Sequence, residues 1–568
     1  MTDRTRSIKV REVPDVSRTA LAASGISPVL ARVLAARGIK TSDELDDSLT
    51  RLAPIETLKN CVLAGTLLAD TIANNENILI VADYDADGAT AAAITILFLR
   101  SIGVTVDYFV PNRFEHGYGL TPEIVDIVAT KKTDLIITVD NGIASITGVA
   151  RARELGIKVL ITDHHLPGSE LPQAECIVNP NQPNDGFASK CIAGVGVMFY
   201  VLIALRMELR TRGYFEHEHV KEPNLAELLD LVALGTIADV VPIDRNNRIL
   251  VAQGLRRIRT GKMNPGIKAL LQIAKKDPSN ARAADFGFAI GPRLNAAGRL
   301  TDMKLGIECL ISNDIDRATD LARELDQLNV ERRHIEGEMK DQALRYLENI
   351  ETKSESGITL FDPKWHSGIV GILASRVKEK FNRPTIAFAP EKNNSLKGSG
   401  RSIQGIHLRD VLDTLTKMDP SVIDKFGGHA MAAGLTIQLE KLEQFTRLFN
   451  QLVNEEFKKN AIDNSIYIDG SLKEQDSLPA LAHELRTQVW GQGFPEPAFK
   501  DELHVKAHRI LGDAHTKLRV SFSPHGEEID AIRFNFNDAV PDLINCVYRL
   551  DINDFYEHKP TQLIIETW

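Results

Sequence analysis

Short runs of uninterrupted apolar residues alternate with stretches of helical periodicity along the first half of the chain. NILIVA gives way to ATAAAITILFLRSIG, VTVDYFV to PEIVDIVATKK, DLIITV to ASITGVARARELG, and then comes KVLIT. Near-continuous apolar strands are those buried on both faces, and strands separated by helices of ten or more residues are joined by right-handed parallel crossovers. The pattern predicts a doubly wound parallel α/β sheet. Ahead of it, residues 1–55 read as a helical lead-in, with apolar positions at helical spacing through SPVLARVLAARGIK and an N-cap at Ser42. From about 313 to 350 the run DIDRATDLARELDQLNVERRHIEGEMKDQALRYLENI has helical spacing, opposite charges and a single glycine, and predicts one long connecting helix. GITLFDPKWHSGIVGILASRVKEKFNRPTIAFAP then reads strand, loop, helix, strand, which begins a second α/β unit. After about residue 465, YIDGSL, ELHVKAHRIL, KLRVSFS, EIDAIRFNF, CVYRLDIN and TQLIIET are short strands divided by turns, the pattern of a small antiparallel barrel.

The chemistry gathers where the apolar strands end. Asp83, Asp85 and Asp87 follow the first strand, Asp140 follows DLIITV, and Asp163, His164 and His165 follow KVLIT. In a doubly wound sheet these tips are neighbours around the binding crevice. Carboxylates packed so closely repel one another unless a cation neutralises them. Mixed Asp and His ligands suit Mn²⁺ or Mg²⁺ better than a structural zinc, for which thiolates are common. With five or six ligands around a metal pair roughly 3.5–4 Å apart, the expected chemistry is attack of an activated water on phosphorus. Any one of these aspartates, taken alone, could equally be a helix N-cap or turn residue.

Composition changes the picture little. At 568 residues the chain exceeds a single core and implies three or four domains. Its 43% hydrophobic and 25% charged content are ordinary for a globular protein. No apolar run is long enough to span a bilayer, and MTDRTRSIKVREV lacks the apolar core of a signal peptide, so the cytoplasm is the expected location. Cys61, Cys176, Cys191, Cys309 and Cys546 show no CxxC pairing and read as small buried apolar residues. The net charge of −10 argues against a uniformly basic duplex-binding surface but is compatible with a local basic channel beside a metal site.

Further candidates lie downstream. NLAELLDLVALGTIADVVPID is an amphipathic helix that breaks and delivers Asp239 and Asp244 into a turn, with Asp239 the better ligand candidate. In GFAIGPRLNAAGRL, small residues let a backbone approach a ligand while Arg293 and Arg299 could fork onto phosphate, or else pair with acids. Two glycine-rich loops, LKGSGRSIQG with Ser399 and Arg401, and FGGHAMAAG with His429, are suitable phosphate cradles. In the tail, Phe522, Phe534, Tyr548 and Tyr556 could stack on bases, although more of them are expected in the core.

The ordered set DYDADG, VDNG, DHH and GTIADVVP, followed by GSGRS and GGHAMAAG, resembles the DHH phosphoesterase superfamily with its DHHA1 partner domain. VPNRFEHGYGL, GVGVMFY, GPRLNAAGRL and the barrel-like tail extend the likeness over nearly the whole chain, toward the bacterial RecJ family of single-strand-specific 5′ to 3′ exonucleases. That resemblance implies a lead-in over 1–55, a DHH catalytic domain over 56–305, a connecting helix over 306–350, a DHHA1 domain over 351–460 and an OB-like nucleic-acid-binding barrel over 461–568. It implies Asp85, Asp87, Asp140, His164 and Asp239 as ligands of two divalent ions, Mn²⁺ or Mg²⁺, with Asp83 a supporting acid. His165 would lie near the scissile phosphate, and Asp163 would hold a histidine tautomer. Arg113, Arg293 or Arg299, Ser399, Arg401 and His429 would bind the substrate. Implied with them are single-stranded DNA as substrate, release of 5′-mononucleotides in recombinational, mismatch and base-excision repair, and partners among single-strand-binding protein and repair helicases; a monomer is expected because no dimerisation segment is obvious in the sequence. A smaller DHH activity on oligoribonucleotides, cyclic dinucleotides or pyrophosphate would use the same metal site but does not account for the lead-in and tail. An inert single-strand-holding scaffold does not account for the full acidic set.

Overall fold

The computed structural model describes residues 7–112, 119–349, 356–428, 430–459, 465–512, 514–554 and 561–568. Five parallel strands form the first sheet, in the order Val106–Phe109, Ile78–Ala82, Leu135–Val139, Lys158–Thr162, Cys176–Val178. Every residue of Ile78–Ala82 and Leu135–Val139 is buried, because helices cover both faces. After Ile78–Ala82 the chain adds Val106–Phe109 on one side and then Leu135–Val139 on the other. This reversal opens a crevice beyond the carboxyl ends of the two strands, and Asp83–Asp87 and Asp140 stand at its edges.

The helix expected from 306 is two helices, Lys304–Ile311 and the 35-residue Ile315–Asn349. Polar capping divides them: the Ser312 hydroxyl accepts from Asp314 N at 3.3 Å, and the Asp314 carboxylate accepts from Asp316 N at 2.9 Å. The second α/β unit is a mixed sheet in the order Lys425–Gly428, Ala432–Gln438, Ser395–Arg401, Thr385–Pro390, Ile358–Phe361. Its outer helix, Val370–Phe381, is tied to the long helix through Glu336, which accepts from Arg332 at 2.8 Å and from Arg376 at 2.9 Å.

The tail closes into a five-stranded barrel of Phe499–Leu511, His515–Ser521, Ile529–Arg533, Thr561–Thr567 and Leu543–Ile552. It is not wholly antiparallel, since Ile529–Arg533 pairs in parallel with Thr561–Thr567. A closed ring with an odd number of strands cannot alternate direction all the way round, so one parallel pair is unavoidable.

Lead-in and tail also meet. Ile8–Val10 pairs in parallel with Ile466–Ile468, and the Arg37 guanidinium forks onto Asp469 at 2.7 and 3.0 Å with both side chains almost fully buried. One apolar core runs from Leu21 and Leu34 through one face of the parallel sheet to Phe499, Leu518 and Leu563 of the barrel. The cap expected at Ser42 lies one residue earlier: Glu44 accepts from the backbone of Thr41 at 3.3 Å, ahead of the short 3₁₀ turn Ser42–Leu45. All five cysteines are free, and four are buried. Among the described residues no helix is long and apolar enough to cross a membrane.

Candidate metal centre and substrate cleft

Three strand ends aim their polar residues at one point because the backbone ladder continues past each strand. Asp83 N donates to Val139 O at 3.2 Å, Asp140 N to Thr162 O at 3.0 Å and Asp163 N to Val178 O at 3.1 Å, so each acid is fixed by the neighbouring strand. Asp140 adopts a left-handed backbone conformation, φ 63°, unusual for a residue with a side chain and typical of functional turns. Asp85 caps the helix Ala86–Ser101, its Oδ1 accepting from Asp87 N at 2.9 Å and Gly88 N at 3.1 Å. The capping role and the ligand role are both open to it, since a carboxylate has two oxygens. Asp87 is buried and receives Gly194 N at 2.7 Å and Val195 N at 2.9 Å from the start of the helix Gly194–Thr211. Gly194 has to be glycine, because a Cβ there would lie 2.6 Å from Asp140 Oδ1.

His164 Nε2 lies 3.2 Å from Asp140 Oδ1 and 3.4 Å from Asp239 Oδ2. That nitrogen is buried and has no hydrogen-bond partner. Burial first, and then the neighbouring His165, pushes the His164 pKa down, which favours the neutral ring with a lone pair to offer. Ligand atoms of Asp83, Asp85 and Asp140 lie within 4.8 Å of one another, as do those of Asp87, His164 and Asp239, and of Asp140, His164 and His165. Burial and then mutual repulsion raise the carboxyls of Asp87, Asp140 and Asp239. An orphaned imidazole nitrogen among acids that resist ionising is the donor set of a divalent-cation site. Oxygen and imidazole donors without a thiolate fit Mn²⁺ or Mg²⁺.

Asp163 is turned away from this cluster to organise the DHH turn. Its carboxylate accepts from the backbones of Ile143, His164 and His165 at 2.9, 2.7 and 3.1 Å and bonds His165 Nδ1 at 2.7 Å. The histidine that it orients is therefore His165. Burial opposes the His165 imidazolium, but Asp163, followed by Asp83 and Asp239, outweighs it and lifts the pKa to about 10. Two residues that sequence reasoning passed over complete the turn: Asn179 donates to His165 O at 2.9 Å and Asn181 to His164 O at 2.6 Å. Both follow the apolar strand Cys176–Val178 in VNPN, so the rule that found the acids could have found them.

Between the parallel sheet and the mixed sheet lies a cleft of about 940 Å³. Asp85, Asp163, His165 and Asn295 line one wall, Ser399 and Arg401 the other, with Arg299 between them. Arg299 donates to Gly368 O at 3.2 Å, and Arg401 Nη1 to Ser399 Oγ at 3.2 Å. Asn295 also accepts from Ala86 N at 2.8 Å, and nearby Gly298 must lack a Cβ because one would lie 1.9 Å from Tyr84 O. Lys397, Arg409 and Lys425 line the same cleft and were not foreseen, although Lys397 lies inside LKGSGRSIQG and Lys425 directly precedes FGGHAMAAG. Arg293 is not brought there. It pairs with Asp326 of the long helix at 2.8 Å and donates to Ala289 O at 2.6 Å, the structural alternative for that residue. Arg113 and His429 lie outside the described residues. In the barrel Phe534 is exposed and Phe522 half-buried, whereas Tyr548 is buried with its hydroxyl on Asp501 at 2.7 Å and cannot stack on a base; Tyr556 lies outside the described residues.

Comparison with known proteins fits these three units. Residues 77–236 match the DHH family, N-terminal domain, residues 354–455 the DHHA1 domain and residues 468–567 the RecJ OB domain. The chain is 47% identical, over 99% of its own length and 98% of the relative's, to the single-stranded-DNA-specific exonuclease RecJ of Salmonella typhimurium. The chain belongs to the RecJ family. RecJ of Thermus thermophilus in complex with Mn²⁺ superposes with a TM-score of 0.80 at 29% identity, covering 100% of this chain and 79% of that one. The Mg²⁺ complex of the same RecJ gives 0.75 at 27% identity, covering 99% and 77%. The acid and histidine cluster thus belongs to a family whose solved members hold either ion.

Proposed function

We infer that the chain is a metal-dependent exonuclease that hydrolyses single-stranded DNA from its 5′ end and releases 5′-mononucleotides. The observation that carries the reading is the convergence of buried acids and His164 on one point that opens into a basic cleft, in a chain of RecJ sequence. Asp85, Asp87, Asp140, His164 and Asp239 would hold the divalent ions, and Asp83, whose Oδ1 accepts from Tyr84 N at 2.7 Å, supports them from the same loop. When bound, Mn²⁺ or Mg²⁺ supplies an activated water and neutralises charge on the phosphoryl oxygens. The residues do the rest. Asp163 keeps His165 protonated, so an imidazolium faces the charge that develops on the scissile phosphate. Arg299, Ser399 and Arg401 anchor the terminal phosphate across the cleft, and Arg113 and His429 are assigned to that anchor by family likeness alone. Arg293 is withdrawn from it.

The 5′ polarity rests on the RecJ likeness; the anchor on the mixed sheet accounts only for cleavage near a bound end, whose next phosphodiester it presents to the acids. Action in recombinational, mismatch and base-excision repair, alongside single-strand-binding protein and helicases, follows from the same likeness, and a cytoplasmic monomer is the reading of the sequence. The test is digestion of single-stranded and duplex DNA labelled at either end, with Mn²⁺ or chelator, by wild type and Asp140→Ala. Mn²⁺-dependent loss of the 5′ label from single strands only, abolished in the variant, is the expected result. Tight single-strand binding without degradation by wild type would overturn it.

A further inference from the structure

Phe288 is 87% exposed, more than any other large apolar side chain among the described residues. Single apolar side chains are common on protein surfaces, so it is the setting of Phe288 that gives its exposure weight. The local backbone is equally uncommon. Phe288 is the middle residue of a five-residue π-helical turn, Phe286–Ile290, a geometry that gathers at functional sites.

The position of this turn gives it meaning. Gly287 and Gly291 pack it against Ile237 and Ala238, so closely that a Cβ on Gly291 would lie 3.3 Å from Ala238 Cβ. Those are the two residues before Asp239, whose carboxylate stands 3.4 Å from His164. Directly after Asp239, Val240 is 63% exposed and held at φ 61°, a conformation that costs a β-branched residue energy. Phe288 and Val240 are thus two exposed apolar side chains beside the segment that carries Asp239, and neither lines the Ser399 and Arg401 cleft. The loop beneath is fastened to the segment leading into the barrel, Ile243 N donating to Gln492 O at 2.7 Å. With the 5′ end read into the cleft, a residue beside the Asp239 segment that does not line the cleft is placed to meet the strand on the other side of the acids.

We propose that Phe288 is a stacking platform for a nucleobase on the 3′ side of the scissile phosphate, with Val240 as its rim, holding the single strand in register with the metal centre. The proposal rests on the exonuclease reading. An aromatic ring offers a π-face to any base, which suits an enzyme without sequence preference, and a paired base has both faces covered by its neighbours in the duplex.

The test compares 5′-phosphorylated oligothymidylate with the same length of chain carrying abasic residues beyond the first nucleotide, in steady-state digestion with Mn²⁺. Phe288→Ala should raise KM for oligothymidylate about tenfold with kcat within about threefold, the scale of one lost stacking contact. Phe288→Trp should restore it. On the abasic substrate wild type should show the same rise, and Phe288→Ala no further loss. Equal KM for Phe288→Ala and wild type on oligothymidylate would overturn the proposal, as would an equal loss on both substrates, which marks a structural role. Failure of wild type to degrade single strands at all would instead overturn the exonuclease reading, a result distinct from either.

Discussion

At the scale of single residues, proton affinities separate two tasks inside one turn. His164 is held neutral by burial and aimed at acids, while His165, one position on, is held charged by Asp163. Asp163→Asn should therefore lower the His165 pKa, leaving burial opposed only by Asp83 and Asp239, so that less of the imidazolium survives at pH 8 than at pH 6. The expected kcat falls about 10²-fold at pH 8 and less at pH 6, the scale of one removed transition-state donor. A kcat–pH profile parallel to that of wild type would refute it. The acids make a second prediction. Burial and mutual repulsion raise Asp87 to about 7 and Asp239 to about 8. A carboxyl with a raised native pKa favours the fold while protonated and withdraws that stability as pH climbs from the unfolded value through 7 and 8. A divalent ion binds only the ionised acids, so it restores what the rise in pH removes. The Mn²⁺-induced increase in Tm should be larger at pH 8 than at pH 6, and equal increases in chelator-controlled melts would count against these acids as ligands.

At the scale of elements, the sequence was most legible where burial is two-sided. Uninterrupted apolar runs marked the strands, and the acid directly after three of them, Asp83, Asp140 and Asp163, stood at the crevice. What periodicity could not show was which arginine had a partner. Arg293 and Arg299 sit in one helix among the same small residues, and only the arrival of Asp326 on the long helix separates them. Likewise the break before Ile315 depends on two short polar side chains bonding their own backbone, inside a stretch that otherwise reads as helix. Tyr548 looked like its neighbours in the tail, and its burial on Asp501 follows from closure of the barrel. The long helix also sets the cleft. Glu336 is nearly buried and joins that helix to Val370–Phe381 through two arginines. Glu336→Ala takes the carboxylate from the largely buried Arg332, while half-exposed Arg376 keeps Glu379, and should cost about 2 kcal/mol, the scale of hydrogen bonds to a charged group. The loosening should be local, seen as faster amide exchange over residues 356–459 with the parallel sheet unchanged; uniform exchange rates would show that the clamp is idle.

At the scale of the whole molecule, the barrel is less a tail than a wall. Removing the chain from residue 465 looks from sequence like a clean way to test strand binding, but the structure makes it a cut through the core. It strips Ile8–Val10 of its strand partner and Arg37 of Asp469, and bares one side of the apolar cluster that includes Leu34. A chain ending at 464 should melt without a single cooperative transition and aggregate on heating, checked by circular dichroism and light scattering; a sharp melt at the wild-type temperature would refute this. The same pairing has a consequence for biosynthesis. Ser7 finds its partner hydroxyl on Ser465, 458 residues further along. At a translation rate of about 5–20 residues per second, Ile8–Val10 waits roughly twenty seconds to a minute and a half for its mate. A strand made that long before its mate is thus put in place late, and the nascent chain must keep it from finding the wrong edge in the meantime.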